Sequence, residues 1–404
     1  MRMRNGIERF IEYAKMPTMS CEDSSSCPST EKQRALALRI AEELRNIGLS
    51  VEVTDECYVY AKLEANASAK NKIGLIAHMD TSPDAPDDPI SPGIVRYDGE
   101  DIALGDGAAL SEKDYTCLSR YRGEELIVTD GKTLLGADDK AGVCEIISAL
   151  ERIVEEGLPH GEVSVAFTPD EEIGRGADLF DVKKFGADYA YTVDGGALGE
   201  IEYENFNAAS AVVEIHGVSI HPGSAKGKMI NASEVAAYFH SLVPEKETPY
   251  YTEEYEGFYH LTSIEGCVER ATLKYIIRDH DRAKFETRKE LFRKIAERVN
   301  ERYGDGTAVC ILTDSYYNMK EKIEPVMYII DRAKAAFEAN GVEPAVVPIR
   351  GGTDGARLSF VGLPCPNLCT GGENFHSRFE FLPVESFNKI VDILVTLVTD
   401  LTEK

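Results

Sequence analysis

Nowhere in the sequence do apolar residues run on for the roughly eighteen positions that a membrane-spanning helix requires, so no span is expected. Basic residues are scarce beside acidic ones, 44 against 70, which leaves a net charge of −26. That deficit argues against nucleic acid and against an anionic membrane surface as partners. Cysteine occurs nine times but never as a Cys-x-x-Cys pair. The expectation is therefore reduced thiols in a cytoplasmic setting, not a disulfide framework. The first sixteen residues mix both signs of charge in an amphipathic helical pattern and lack the apolar stretch of a secretion signal. No internal repeat and no low-complexity tract interrupts the chain.

What is present fits a soluble globular protein of two domains. At 404 residues the chain exceeds a comfortable single core, and 43% hydrophobic with 28% charged residues is ordinary. Helical periodicity covers 6–16, 30–47 and 139–157. Between these lie apolar runs that read as buried strands: Ile73 to His78, Val163 to Thr168, and 188–193 before Asp194. Strands alternating with helices imply an α/β domain built on a mainly parallel, doubly wound sheet. From 207 the pattern changes to apolar–polar alternation, at 207–216, 271–277 and 307–313, with helices expected at 230–243 and 281–302. Alternation marks a sheet with one wet face. The expected organisation is a discontinuous catalytic domain, 1–206 and 314–404, carrying an inserted α+β lid at 207–313.

Chemistry concentrates where strands end, the usual place for ligands in open α/β sheets. His78 lies in GLIAHMDTSPD, Asp138 in LLGADDKAG, Glu172 in AFTPDEEIG, Asp194 in YTVDGG and His376 in TGGENFHSRFEF. Imidazole nitrogen and carboxylate oxygen are donors for zinc or a similar divalent ion. Five such ligands exceed one ordinary site but serve two ions if Asp138 bridges them. Two ions about 3.5–4 Å apart acidify a shared water and polarise a carbonyl. Asp80, two residues beyond His78, is placed to accept the other imidazole N–H and fix the tautomer. Of the adjacent acids in PDEE, Glu171 is expected to move the proton while Glu172 binds metal. Singly, each string has a plainer reading: Asp138 as a helix N-cap, His376 as a structural histidine, the Glu pair as solvated surface. Together they read as a two-metal hydrolase.

Further strings concern substrate. His221 in HPGSAKG is exposed beside Pro and Gly, where it can hydrogen-bond an oxyanion. Arg278 and Arg350 are suited to gripping a carboxylate, though either could equally be an ordinary ion pair in so acidic a chain.

The ordered set of strings, which also includes ENFNAAS, EGFYHL, YIIRD, DSYYNM and PIRGGTDGARLSF, spans nearly the whole chain. It resembles the two-zinc metallopeptidases that include carboxypeptidase G, aminoacylase and succinyl-diaminopimelate desuccinylase, and within them the aminopeptidases acting on tripeptides. The resemblance implies two Zn2+ ions per subunit, with Co2+ or Mn2+ as substitutes, and Asp138 as the bridge. It gives His78 and Asp194 to one ion, and Glu172 and His376 to the other. A cis peptide between Asp138 and Asp139, an orienting Asp80 and a basic Glu171 are implied as well. Substrate contacts would come from Asn207, His221, Arg278 and Arg350, and homodimerisation from the lid. The implied reaction frees the N-terminal residue of a tripeptide by attack of a hydroxide shared between the ions. A dipeptidase, carboxypeptidase or N-deacylase on the same scaffold, or a non-catalytic peptide- or metal-binding protein, remains open at this point.

Overall fold

The computed structural model describes residues 6–401, and the chain folds into two compact units. The first runs to Tyr203 and resumes over Glu321–Val347 and from Thr353 onward; the second comprises Glu204–Lys320 and Pro348–Gly352. Against the boundaries read from the sequence, the second unit starts three residues earlier, ends seven later and takes in the short segment around Arg350. Of the amphipathic helix expected at the start, Gly6–Ala14 is helical and residues 1–5 lie outside the described residues.

The first unit is organised by an eight-stranded sheet. Its order is Ser50–Val53, Val59–Leu63, Val163–Thr168, Ile73–His78, Tyr189–Gly195, Asn367–Cys369, Glu200–Glu202, Ala345–Val346. The middle four strands are mutually parallel, while antiparallel pairings toward both edges make the sheet mixed overall. Every residue of Ile73–His78 and Val163–Thr168 is buried, as expected of strands covered on both faces. On one face Ile76, Ala166 and Ala190 pack with Phe180, Phe185 and Leu358. On the other lies the helix Ala137–Glu156, itself covered by Gly6–Ala14, Lys32–Ile47 and Val384–Thr399. A fully buried aliphatic side chain here contributes about 1.5–3 kcal/mol, so Leu75→Ala would cost about 2–5 kcal/mol.

Register decides where the site falls. His78 pairs with Thr168, while Ile76 and Asn367 both pair with Thr192. The carboxyl ends of the four parallel strands are therefore nearly flush. The segments that leave them carry His78, the Glu171–Glu172 turn, Asp194 and, after Gly371-Gly372, His376. Gly142 lets the helix Ala137–Glu156 approach this edge, because a methyl group there would overlap the Val193 carbonyl and the Asp139 carboxylate. A small antiparallel sheet, Gly93–Arg96 with Glu125–Val128 with Phe381–Pro383, pairs Phe381 with Val128.

In the second unit the strand order is Phe258–Gly266, Arg270–Asp279, Asn207–His216, Ala308–Tyr316, all antiparallel. Helices Ala232–Ser241 and Arg282–Tyr303 contribute Val235, Phe239, Phe285 and Phe292 to its core. Three of these strands and both helices match the sequence expectation. Phe258–Gly266 does not: it was not anticipated, because of its nine residues only Tyr259 is buried and the alternation is too faint to register.

Candidate metal centre

The four strand ends and the mouth of one helix bring the expected donors together. The peptide between Asp138 and Asp139 is cis, as the resemblance implies, and neither residue has helical dihedrals. The two carboxylates serve different groups. Asp139 accepts the backbone N–H of His78 at 3.0 Å and that of Gly142 at 3.2 Å, which buttresses the strand end. Asp138 lies between two imidazoles. Its Oδ1 is 2.9 Å from His78 Nε2 and its Oδ2 is 3.3 Å from His376 Nε2. Asp194 Oδ1 stands 3.4 Å from His78 Nε2, and Glu172 Oε2 stands 2.9 Å from His376 Nε2. His78, Asp138 and Glu172 each present a donor atom within 4.8 Å of the others, and so do His78, Asp139 and Asp194.

Outward-facing nitrogens are fixed from behind. His78 Nδ1 is 3.0 Å from the Asp80 carbonyl oxygen and 3.4 Å from its carboxylate, so the nearer acceptor is the backbone. The Asp80 carboxylate instead accepts the amides of Glu171 and Glu172 at 3.0 and 3.2 Å, anchoring the turn that carries both. His376 Nδ1 faces Asp84 Oδ2 at 3.0 Å and Ser82 Oγ at 3.2 Å. Glu380, missed in the sequence, is buried and accepts three amides: Leu135 and Gly136 on Oε2 at 2.7 and 2.8 Å, and Asp138 on Oε1 at 3.0 Å. It ties the segment bearing His376 to the loop bearing Asp138. Nothing in FEF marked it, since a carboxylate that binds backbone amides leaves no sequence pattern.

Electrostatics shows how crowded the anionic charge is. Burial pushes Glu172 up to about 8 and Asp194 up to about 6. Burial would raise Asp138 too, but hydrogen bonds from His376 and His78 hold it below the usual carboxylate range. Hydrogen bonds to Asp138 and Glu172 push His376 up to about 11. His78 rises despite burial, through the charge of Asp194 and its hydrogen bonds to Asp138 and Asp194. The protonated imidazoles thus occupy the electrostatic place of cations. Glu172 Oε1 is buried and meets no hydrogen-bond donor among the described residues. An unpaired buried carboxylate oxygen is costly unless an ion meets it. The donor set and this orphaned oxygen fit divalent metal. Glu171 stands apart: its Oε1 accepts the amide of Asp354 at 3.2 Å, and burial, then the charges of Asp194 and Asp354, raise its pKa well above normal.

The residues expected at the substrate lie in the second unit. His221 is exposed and caps the turn Pro222–Ser224, its Nδ1 accepting the Gly223 amide at 3.2 Å. In neutral imidazole that places the proton on Nε2, a donor with no partner among the described residues. Arg278 is half-buried, its guanidinium 5.1 Å from the centre of the Tyr316 ring, and no carboxylate pairs with it among the described residues. Asn207 and Arg350 also make contacts within the unit. The Asn207 amide donates to the carbonyls of Asp279 and His280 and accepts from Asn318 N, which makes it a brace inside the unit. Arg350 donates to the carbonyls of Glu254, Glu256 and Thr252 and lies over Phe206 and Phe258, clamping the loop 252–256.

An α/β sheet with this donor set at its carboxyl edge, joined to an antiparallel second unit, has the make-up of a metal-dependent hydrolase. Residues 203–307 match the family model described as a peptidase dimerisation domain. Peptidase T of Clostridium acetobutylicum is 53% identical over all of this chain and all of its own length; that of Alkaliphilus oremlandii is 52% identical over 98% of this chain and 99% of its own. The chain belongs to the peptidase T family and is a metallo-aminopeptidase. Among solved structures, aminopeptidase PepT from Bacillus cereus has the same fold, with a TM-score of 0.79 and 23% identity over 99% of this chain and 100% of its own. A Bacillus subtilis peptidase described as dinuclear metal-binding, of the M20 family, has a TM-score of 0.65 at 14% identity over 98% of this chain and 96% of its own.

Proposed function

We propose that the protein is a two-zinc aminopeptidase that releases the N-terminal residue of tripeptides. The observation that carries this reading is the Asp138 carboxylate, one oxygen toward each imidazole, with Glu171 alongside but outside the donor set. His78 and Asp194 would hold one ion, Glu172 and His376 the other, and Asp138 both. Two bound divalent ions supply Lewis-acid polarisation of the scissile carbonyl and acidify water.

The chain's own residues do the rest. Glu171, desolvated and beside other carboxylates, accepts a proton from the attacking water and returns it to the leaving amine. Asp80 keeps Glu171 and Glu172 on one rigid turn through their amides. His221 Nε2–H stabilises the developing oxyanion, and Arg278 grips the peptide's C-terminal carboxylate. Asn207 and Arg350 complete the substrate contacts, braced by the internal hydrogen bonds described above. A cytoplasmic enzyme that dimerises through its second unit fits the composition and the match to the dimerisation domain. Incubating the metal-reconstituted protein with di-, tri- and tetrapeptides, and with N-acetyl and C-amide tripeptides, tests the reading. Release of the first residue from the free tripeptide is expected to dominate. Preferred cleavage of N-acetylated substrates, or release from the carboxyl end, would overturn it.

A further inference from the structure

Asp170 immediately precedes the two functional glutamates and is not a donor in the cluster. It is fully buried, with φ 58°, in the left-handed region that Asp tolerates better than most residues. Its carboxylate accepts Ser29 N at 2.7 Å, Ser29 Oγ at 2.5 Å and Gln33 Nε2 at 2.6 Å. Its own amide donates back to Gln33 Oε1 at 3.3 Å. One buried glutamine side chain therefore grips both the main chain and the side chain of Asp170. Gln33 is fixed in turn by the helix Lys32–Ile47, and Ser29 Oγ also accepts the Cys21 amide at 2.9 Å. Arg175, just past the turn, donates to the carbonyls of Ser24 and Glu22 at 2.5 and 3.1 Å. The turn is thus pinned at residue 170 by Ser29 and Gln33 and at 171–172 by Asp80.

We infer that Gln33 and Ser29 are positioning residues for Glu171, acting through Asp170 to set the turn that carries the proton-transferring and metal-binding glutamates. The inference rests on Glu171 being the acid/base. A buried Gln or Ser could be retained merely for stability, and the two roles separate experimentally. Displacing a reacting group by about 1 Å can cost on the order of a hundredfold in rate. Gln33→Leu, which keeps the bulk and removes both polar atoms, should lower kcat about 10- to 100-fold with KM changed less than about threefold.

The deciding measurement is a double-mutant cycle. With Glu171→Ala already present, adding Gln33→Leu should lower the residual kcat by less than about twofold. Ser29→Ala should lose about 3- to 10-fold, and Ser29→Thr, which restores the hydroxyl, should recover most of it; this pair decides the matter if Gln33→Leu fails to fold. Metal content by mass spectrometry and melting temperature accompany each variant. Equal losses with and without Glu171, or unchanged kcat in both Gln33→Leu and Ser29→Ala, would overturn the inference. Normal turnover by Glu171→Ala would overturn the acid/base assignment and this inference with it. A severe Glu171→Ala defect beside unaffected Gln33→Leu and Ser29→Ala overturns this inference alone.

Discussion

Arg278→Leu separates substrate recognition from stability. The guanidinium lies 5.1 Å from the Tyr316 ring centre and has no carboxylate partner among the described residues. Burial lowers its pKa and Tyr316 opposes the shift, so the desolvated charge is compensated only in part. Within the protein the substitution removes one cation–π contact, about 0.5–1 kcal/mol, and relieves a charge that is costly to bury. These oppose each other, so the melting temperature should move by less than about 3 °C. Toward a peptide carboxylate the loss is larger, because hydrogen bonds to charged groups are worth about 1.5–3 kcal/mol. That converts to roughly a 12- to 150-fold fall in kcat/KM for a free tripeptide. Steady-state kinetics on the tripeptide and its C-amide provide the assay. Wild type should lose a similar factor on the amide, whereas Arg278→Leu should treat acid and amide within about threefold. A variant that still prefers the free acid tenfold, or that loses equally on both substrates, refutes the assignment.

Glu171→Gln should lower kcat by about a hundredfold or more while metal content stays at the wild-type level, checked by single-turnover kinetics beside elemental analysis. Glu380→Gln keeps the shape but loses acceptor capacity for the Leu135, Gly136 and Asp138 amides; metal affinity measured by competition with a chelating dye should weaken about 10- to 100-fold. Chelation should abolish activity and lower the melting temperature, and comparing Zn2+, Co2+ and Mn2+ in restoring both identifies the competent ion. Glu202, pushed up to about 8 by burial, binds its proton more tightly folded than unfolded. Its contribution is complete below the unfolded pKa near 4.5 and lost as pH rises through about 8, so Glu202→Gln should flatten that slope and stabilise the protein above pH 8 by about 1–2 kcal/mol, read from urea midpoints.

The parts legible in the sequence were those where burial and chemistry coincide. Ile73 to His78 and Val163 to Thr168 are unbroken apolar runs because both faces of each strand are covered, and the donors follow at their ends. Glu200–Glu202, Ala345–Val346 and Asn367–Cys369 are two or three residues long, too short to show any period, and exist because neighbours pair with them. Around the donors, residue type predicted more than residue task. Asp80 was expected to orient His78; its carboxylate stands 3.4 Å from His78 Nδ1 and also holds two amides, a second task that the sequence did not mark. Arg350 was expected at the substrate, and nothing in the sequence signalled that it also donates to three carbonyls. Glu380 and Gln33 act on backbone groups that every residue possesses, so their partners cannot be recognised by type.

If two cations are held as proposed, a single carboxylate that faces both imidazoles would couple their binding. Filling either position would draw Asp138 into place for the other and partly neutralise the charge the second ion meets. Occupancy would then be a property of the pair. A foreign cation that lengthened bonds on one side would be felt on the other, and selection for metal would act on the couple as a whole.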